Sequence, residues 1–248
     1  MSKKYPNLNR PTNEIKIQKC FVDFSVSRPV IKQVPEYIVI HEVSLGLGRS
    51  PASYDMDHYE AKLRLESYKK ISYHYLCGDK EIRQFIPDDE FAYQSGTPEG
   101  NRRSIGIERL INKNVDFNHA IFNQAKLTAT LMLKWNIPLE KVTTHKEMKR
   151  IFSSETPLNE LKKCPERLIT GQYGGMNMFY REVLRCFQYG WLFFDELSEE
   201  QILNYGELFI KSQHENINIY NHLFPFSSFN QSNHRGAFHG VNRIKRAG

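Results

Sequence analysis

Three side chains in this 248-residue sequence have the chemistry of metal ligands: His41, His145 and Cys164. Imidazole and thiolate both suit zinc, and three protein ligands leave the fourth position for water, which is the catalytic arrangement rather than the structural one. Each histidine closes a short run rich in β-branched residues, Tyr37-Ile38-Val39-Ile40-His41 and Val142-Thr143-Thr144-His145, and the cysteine opens a Cys164-Pro165 turn. In an open α/β sheet, ligands gather where strands end, so these side chains can converge on one point. Taken singly, each signal is weak. A histidine ending a strand is more often packed or exposed than a ligand, and a lone cysteine is commonly a small core residue.

The elements that must position these groups are partly readable. The run 37–41 follows Pro35 and has the character of a buried central strand. After a loop rich in Gly and Ser (44–53), residues 57–70 carry Tyr59, Leu63 and Tyr68 at helix-compatible spacing. Strands are predicted at 71–76 and 81–86, joined through Cys77-Gly78-Asp79-Lys80 as a hairpin. A loop with Pro87, Gly96, Pro98 and Gly100 leads to the strand 104–108, in which Ile105 and Ile107 share one face and Gly106 and Glu108 the other. Residues 118–135 form an apolar helical stripe stopped by Asn136-Ile137-Pro138. A polar, irregular stretch is expected from Lys146 to Lys163. Beyond a Gly-rich joint (Gly171, Gly174, Gly175), an aromatic-rich helix is predicted over 177–194, then a second helix whose Ser198 and Gln201 make a capping box.

This pattern predicts an α/β fold: a mixed central β-sheet flanked by helices, with a helical C-terminal extension. The division expected is an arm over 1–34, a catalytic domain over 35–170 and an extension over 171–248 ending in a basic tail. Hydrophobic residues at 40% and charged residues at 25% are ordinary for a globular chain, and no run approaches the roughly 20 apolar residues of a membrane span. The basic start, Met1-Ser2-Lys3-Lys4, is followed by no apolar core, so no cleaved secretory signal is expected and the chain is expected to fold in the cytoplasm of its producer. Cys20, Cys77, Cys164 and Cys186 form no C-x-x-C pair and are expected to be reduced. A net charge of +6 suits nucleic acid or an acidic bacterial wall equally, but the basic residues are dispersed and no nucleic-acid motif is present, so no nucleic-acid partner is expected.

The strings Ile38-Val39-Ile40-His41, Ser72-Tyr73-His74-Tyr75, Asn101-Arg102-Arg103-Ser104-Ile105-Gly106-Ile107-Glu108, Thr143-Thr144-His145 and Lys162-Lys163-Cys164-Pro165 occur in that order. The series resembles the N-acetylmuramoyl-L-alanine amidase family of the peptidoglycan-recognition and phage-lysozyme type, most closely its endolysin and autolysin branch. The likeness runs from about Pro35 to Ile169. It implies a zinc enzyme acting on peptidoglycan after release to the wall, commonly as a monomer, with His41, His145 and Cys164 as the Zn2+ ligands. It also implies catalytic roles for Glu108, Lys162 and Tyr73. Zinc brings the pKa of its bound water to ~7. Glu108 then suits the transfer of the water's proton to the departing amine. Lys162 or Tyr73 suits donation to the oxyanion, a contact typically worth ~3 kcal/mol.

Other readings compete for each residue. Glu108 reads alternatively as the partner of Arg102, Arg103 or Arg109, Tyr73 as a packing residue, and Lys162 shares its claim with Lys163. His74 reads as a hydrogen-bonding residue of the sheet, and His58, His119, His214, His222, His234 and His239 have no assigned role. The chain departs from the family at Tyr93-Gln94-Ser95-Gly96, where many members carry a Trp-His-Ala-Gly-like string, and in a longer segment before Cys164 (149–160), read as a lid or rim. The aromatic residues from Phe179 to Phe194 read as a helix packed on the catalytic domain rather than a sugar-binding surface. The rival function is a non-catalytic peptidoglycan receptor on the same fold, a type that typically lacks the cysteine.

Overall fold

The computed structural model describes residues 15–43, 48–153, 163–225 and 227. Six strands form one sheet: β1 (Ile17–Lys19), β2 (Tyr37–Ile40), β3 (Tyr75–Cys77), β4 (Ile82–Gln84), β5 (Ser104–Arg109) and β6 (Val142–Thr144), in the order β1-β4-β3-β5-β2-β6. The β3–β4 hairpin is antiparallel, and every other pairing is parallel. The mixed sheet expected from the sequence is therefore present. The strand β2, held between β5 and β6, is an uninterrupted apolar run (Tyr37-Ile38-Val39-Ile40) because both faces are covered.

The helix α1 spans Met56–Leu65, shorter than the predicted 57–70, and its Asp55 cap accepts from the His58 amide. A short α2 (Pro98–Arg102) precedes β5. The long α3 (Phe117–Trp135) lies across the sheet and ends where Asn136 takes the left-handed conformation. Ile121, Ala125, Leu127, Leu131 and Met132 bury their stripe against Ile38, Ile40, Ile105 and Ile107. Gln124 of α3 donates to the carbonyls of His41 (3.0 Å) and Ile107 (2.8 Å), which pins the helix to the ends of β2 and β5.

Two elements differ from expectation. Regular pairing begins only at Tyr75, and before it the Ser72 amide donates to the loop carbonyl of Tyr93 while the Ser72 and His74 side chains bond to other backbone segments. Ser72 Oγ donates to Ser27 O, and His74 Nδ1 accepts from the Gly106 amide at 3.0 Å. The region after β6 is not irregular at its start either. The Thr144 hydroxyl accepts from the Glu147 amide and caps α4 (His145–Phe152), so His145 opens a helix instead of closing a strand. The proposed lid over 149–160 thus begins within α4, and its remainder from 154 lies outside the described residues.

After α5 (Glu166–Ile169), the helix α6 (Gly175–Tyr189) packs against α3, while α7 (Glu199–Glu215) and α8 (Ile219–Leu223) pack on each other and α8 on α6. Both halves of the Ser198/Gln201 capping box form. Phe179, Val183, Phe187, Tyr205 and Tyr220 join the same buried cluster as Ile38 and Ile40, so the apolar core is continuous from the sheet into these helices. The predicted aromatic helix stops at Gly190, and most of its rings face the core, as the packing reading expected. Tyr189 and Trp191 instead stack on each other, 4.9 Å between centroids, under the Arg185 guanidinium.

Candidate metal and catalytic site

The strand register creates the site. Ile107, Ile40 and Thr144 are aligned across the parallel strands β5, β2 and β6. The next residues, Glu108, His41 and His145, therefore form a row at the carboxyl edge of three adjacent strands, on one face of the sheet. His41 Nδ1 lies 3.9 Å from Glu108 Oε1, and the His41 and His145 rings meet edge to face at 5.1 Å. Cys164 arrives from the chain after α4, with Sγ 3.6 Å from His41 Nδ1 and 3.7 Å from the Glu42 carbonyl. All three ligand candidates are buried. Among the described residues, no three His, Cys, Asp or Glu side chains already enclose a point at ion-binding distance.

Glu108 does not take the structural partners that its neighbours offered. Arg109 points to the opposite face and donates to Glu42 (2.7 Å) and Gln124 (2.7 Å). Arg103 pairs with Glu36, and Arg102 lies over the Phe91 ring. Two tyrosines flank Glu108 instead. Tyr73, packed edge to face on Phe85, directs its hydroxyl to the Tyr59 carbonyl at 3.4 Å. Burial, followed by the Glu108 charge, pushes the Tyr73 hydroxyl well above its ordinary pKa. The same two causes raise Tyr59 to about 12. Both hydroxyls thus keep their protons at neutral pH and remain donors. Lys162 lies outside the described residues, while Lys163 is exposed.

Sequence reasoning missed the residues behind this row. Gln94 touches His41 directly: its Oε1 accepts from His41 Nε2 at 2.6 Å. Glu42, next to His41, is fully buried between two guanidiniums, Arg109 at 2.7 Å and Arg167 at 3.1 Å. This places an excess positive charge behind Cys164. The one available signal was position: Glu42 and Arg167 each follow a ligand candidate within a few residues. His74 does hydrogen-bond within the sheet region, as expected. It accepts from the Gly106 amide through Nδ1 and donates from Nε2 to Glu90 O (2.8 Å), and burial lowers its pKa. The four cysteines are not disulfide-bonded.

A parallel-centred sheet whose strand ends gather two histidines, a cysteine and a carboxylate has the architecture and donor chemistry of a metal-dependent hydrolase. The family model for N-acetylmuramoyl-L-alanine amidase matches residues 31–167, more than half of the chain, and the chain belongs to that family. It is 31% identical over 159 residues to N-acetylmuramoyl-L-alanine amidase CwlH of Bacillus subtilis (strain 168), covering 62% of this chain and 57% of that protein. It is 32% identical over 146 residues to N-acetylmuramoyl-L-alanine amidase XlyA of the same organism, covering 58% of this chain and 43% of that one. The chain thus spans about half the length of these curated relatives. Among solved structures, a mutant endolysin from Bacillus subtilis superposes with a TM-score of 0.57 at 28% identity, over 68% of this chain and 99% of that one. The catalytic domain of XlyA gives 0.56 at 27%, over 68% and 99%. Members of this family are generally zinc-dependent. Among the described residues, no helix is long and apolar enough to cross a membrane.

Proposed function

We propose that this chain is a zinc-dependent amidase that hydrolyses the amide between N-acetylmuramic acid and L-alanine in bacterial peptidoglycan. The observation that carries the reading is the row Glu108-His41-His145 with Cys164 beside His41. The donor set fits zinc. Two ligands sharing one tetrahedral zinc, at usual Zn–N and Zn–S lengths, stand about 3.6 Å apart. The His41 Nδ1 to Cys164 Sγ distance is 3.6 Å. His41, Cys164 and His145 would hold the ion.

When bound, zinc supplies Lewis acidity towards a water and towards the scissile carbonyl. The remaining work belongs to the chain. Glu108, on the same edge as His41, accepts the proton of the attacking water and returns it to the leaving amine. Tyr73 keeps its hydroxyl proton and suits donation to the oxyanion of the tetrahedral intermediate. Lys162, two residues before Cys164, is assigned the second donor role. The buried Arg109 and Arg167 balance the thiolate of Cys164 together with the Glu42 carboxylate.

Incubation with purified peptidoglycan, followed by mass analysis of the released fragments, tests the reaction. Free L-alanine amino termini with intact glycan are expected, and new reducing sugar ends would overturn the assignment. The purified protein should hold one zinc per chain, and His41→Ala or Cys164→Ser should lose most of it. Glu108→Gln should keep the metal and lose hydrolysis. A fully active metal-free protein would sink the mechanism.

A further inference from the structure

The hydrogen bonds behind His41 have only one consistent direction. The Ser104 hydroxyl lies 2.6 Å from the Gly100 carbonyl, which can only accept, so the single hydroxyl proton points there. Towards Gln94, 2.5 Å away, Ser104 Oγ must therefore accept, and the Gln94 atom facing it must be the NH2 group. The other amide atom, Oε1, then faces His41 Nε2 at 2.6 Å and can only accept. His41 must carry its proton on Nε2. In a neutral imidazole this leaves the lone pair on Nδ1, the nitrogen that stands 3.6 Å from Cys164 Sγ.

The seat of Gln94 is equally specific. Gly106 lies beneath it on β5, and a Cβ there would approach Gln94 Cγ to 2.7 Å and Cδ to 2.8 Å. Asn101 Oδ1 accepts from the amides of Gln94 (3.0 Å) and Ser95 (2.8 Å), which fixes the loop that delivers the side chain. Gln94 itself is only 7% exposed. We propose that Gln94 is a positioning residue that holds His41 in the Nε2–H tautomer, with the Nδ1 lone pair aimed at the metal position before any metal arrives. Outer partners of this kind commonly change metal affinity 10–100-fold when lost. The inference rests on the zinc reading above.

The test needs no turnover. Nitrogen chemical shifts of His41 in the metal-free protein should report the Nε2–H tautomer. Gln94→Met, similar in length but unable to accept, should give mixed tautomers and bind zinc about 10–100-fold more weakly in competition with a chelating dye. Gln94→Glu keeps an acceptor for His41 and should recover affinity to within several-fold. Ser104→Ala leaves Gln94 in place but frees its amide to turn, so it should mix the tautomers and weaken zinc binding less than Gln94→Met. That variant also serves if Gln94→Met fails to fold. An Nδ1–H tautomer in the wild-type protein, or a folded Gln94→Met variant with unchanged zinc affinity, would overturn the positioning role alone. No zinc binding by the wild-type protein would overturn both the metal reading and this one. Gln94-dependent zinc binding without release of L-alanine termini would support the positioning role while removing the amidase assignment.

Discussion

Two buried polar clusters brace this sheet, and they are built on opposite principles. Asp88 accepts from Tyr75 (2.5 Å), Gln84 (3.0 Å), Lys134 (2.7 Å) and Trp135 (3.2 Å), a carboxylate surrounded by donors with one partly exposed cation. Glu42 is also saturated, but by two guanidiniums that are themselves buried, Arg109 and Arg167. The first cluster is close to neutral and ties β3, β4 and the end of α3 together. The second carries a surplus positive charge, and its surplus faces Cys164. Burial lowers the Arg109 pKa, so the charge is held there against desolvation. A stability device can be neutral. Two guanidiniums around one carboxylate beside a thiol are the electrostatic setting that favours a thiolate, the form the proposed zinc ligand needs.

Removing the central carboxylate of each cluster separates the two designs most sharply. Glu42→Gln takes from two buried guanidiniums the carboxylate they share and should cost about 3–5 kcal/mol in urea unfolding. Asp88→Asn removes one charge from a set that retains neutral donors and should cost about 1–3 kcal/mol. An equal loss in both would mean that the charge surplus behind Cys164 is not real.

A pH series sharpens the same contrast. Burial, followed by the Asp88 charge, raises the Tyr75 hydroxyl well above its usual pKa. A raised folded pKa gives stability that is complete below the unfolded value near 10 and is lost as pH climbs beyond it. Stability should fall above about pH 10 with a limiting slope near 1.4 kcal/mol per pH unit from this group. Tyr75→Phe should flatten that limb, and an unchanged limb would detach Tyr75 from the effect. His74 works at the acid end. Its folded pKa lies below the usual value, so its contribution is present above about pH 6.5 and fades as pH falls towards the folded value. His74→Gln should reduce the acid dependence seen in thermal melts. The smallest expected change is Lys134→Met, whose ammonium is 26% exposed and screened by water, at about 1 kcal/mol or less.

Much of the frame was legible because it depends on pattern. The β-branched run before His41, the stripe of α3 and the Ser198 capping box each follow from local composition, and each forms as read. What escaped depends on contacts between distant segments. Ser72-Tyr73-His74 alternates like a strand, yet regular pairing begins only at Tyr75, and the Ser72 and His74 side chains bond to backbone at Ser27 and Gly106. His145 was read as a strand end because Thr144 is β-branched, while its hydroxyl acts as a helix cap. The candidate ligands were readable by residue type and order. Their supports were not, since Glu42, Arg109 and Arg167 look like ordinary surface charges until folding encloses them. Gln94 sits in a string whose sequence marks only a departure from the family's Trp-His-Ala-Gly-like motif, and its role becomes visible through Gly106 and Ser104.

The missing methyl at Gly106 has a consequence for how this sequence can change over time. Positions 94 and 106, twelve residues apart in the chain, occupy one volume between them. A side chain gained at 106 displaces the residue at 94, and with it the acceptor for His41. The constraint runs one way: the long residue at 94 confines 106 to glycine, whereas a shorter residue at 94 leaves glycine at 106 undisturbed.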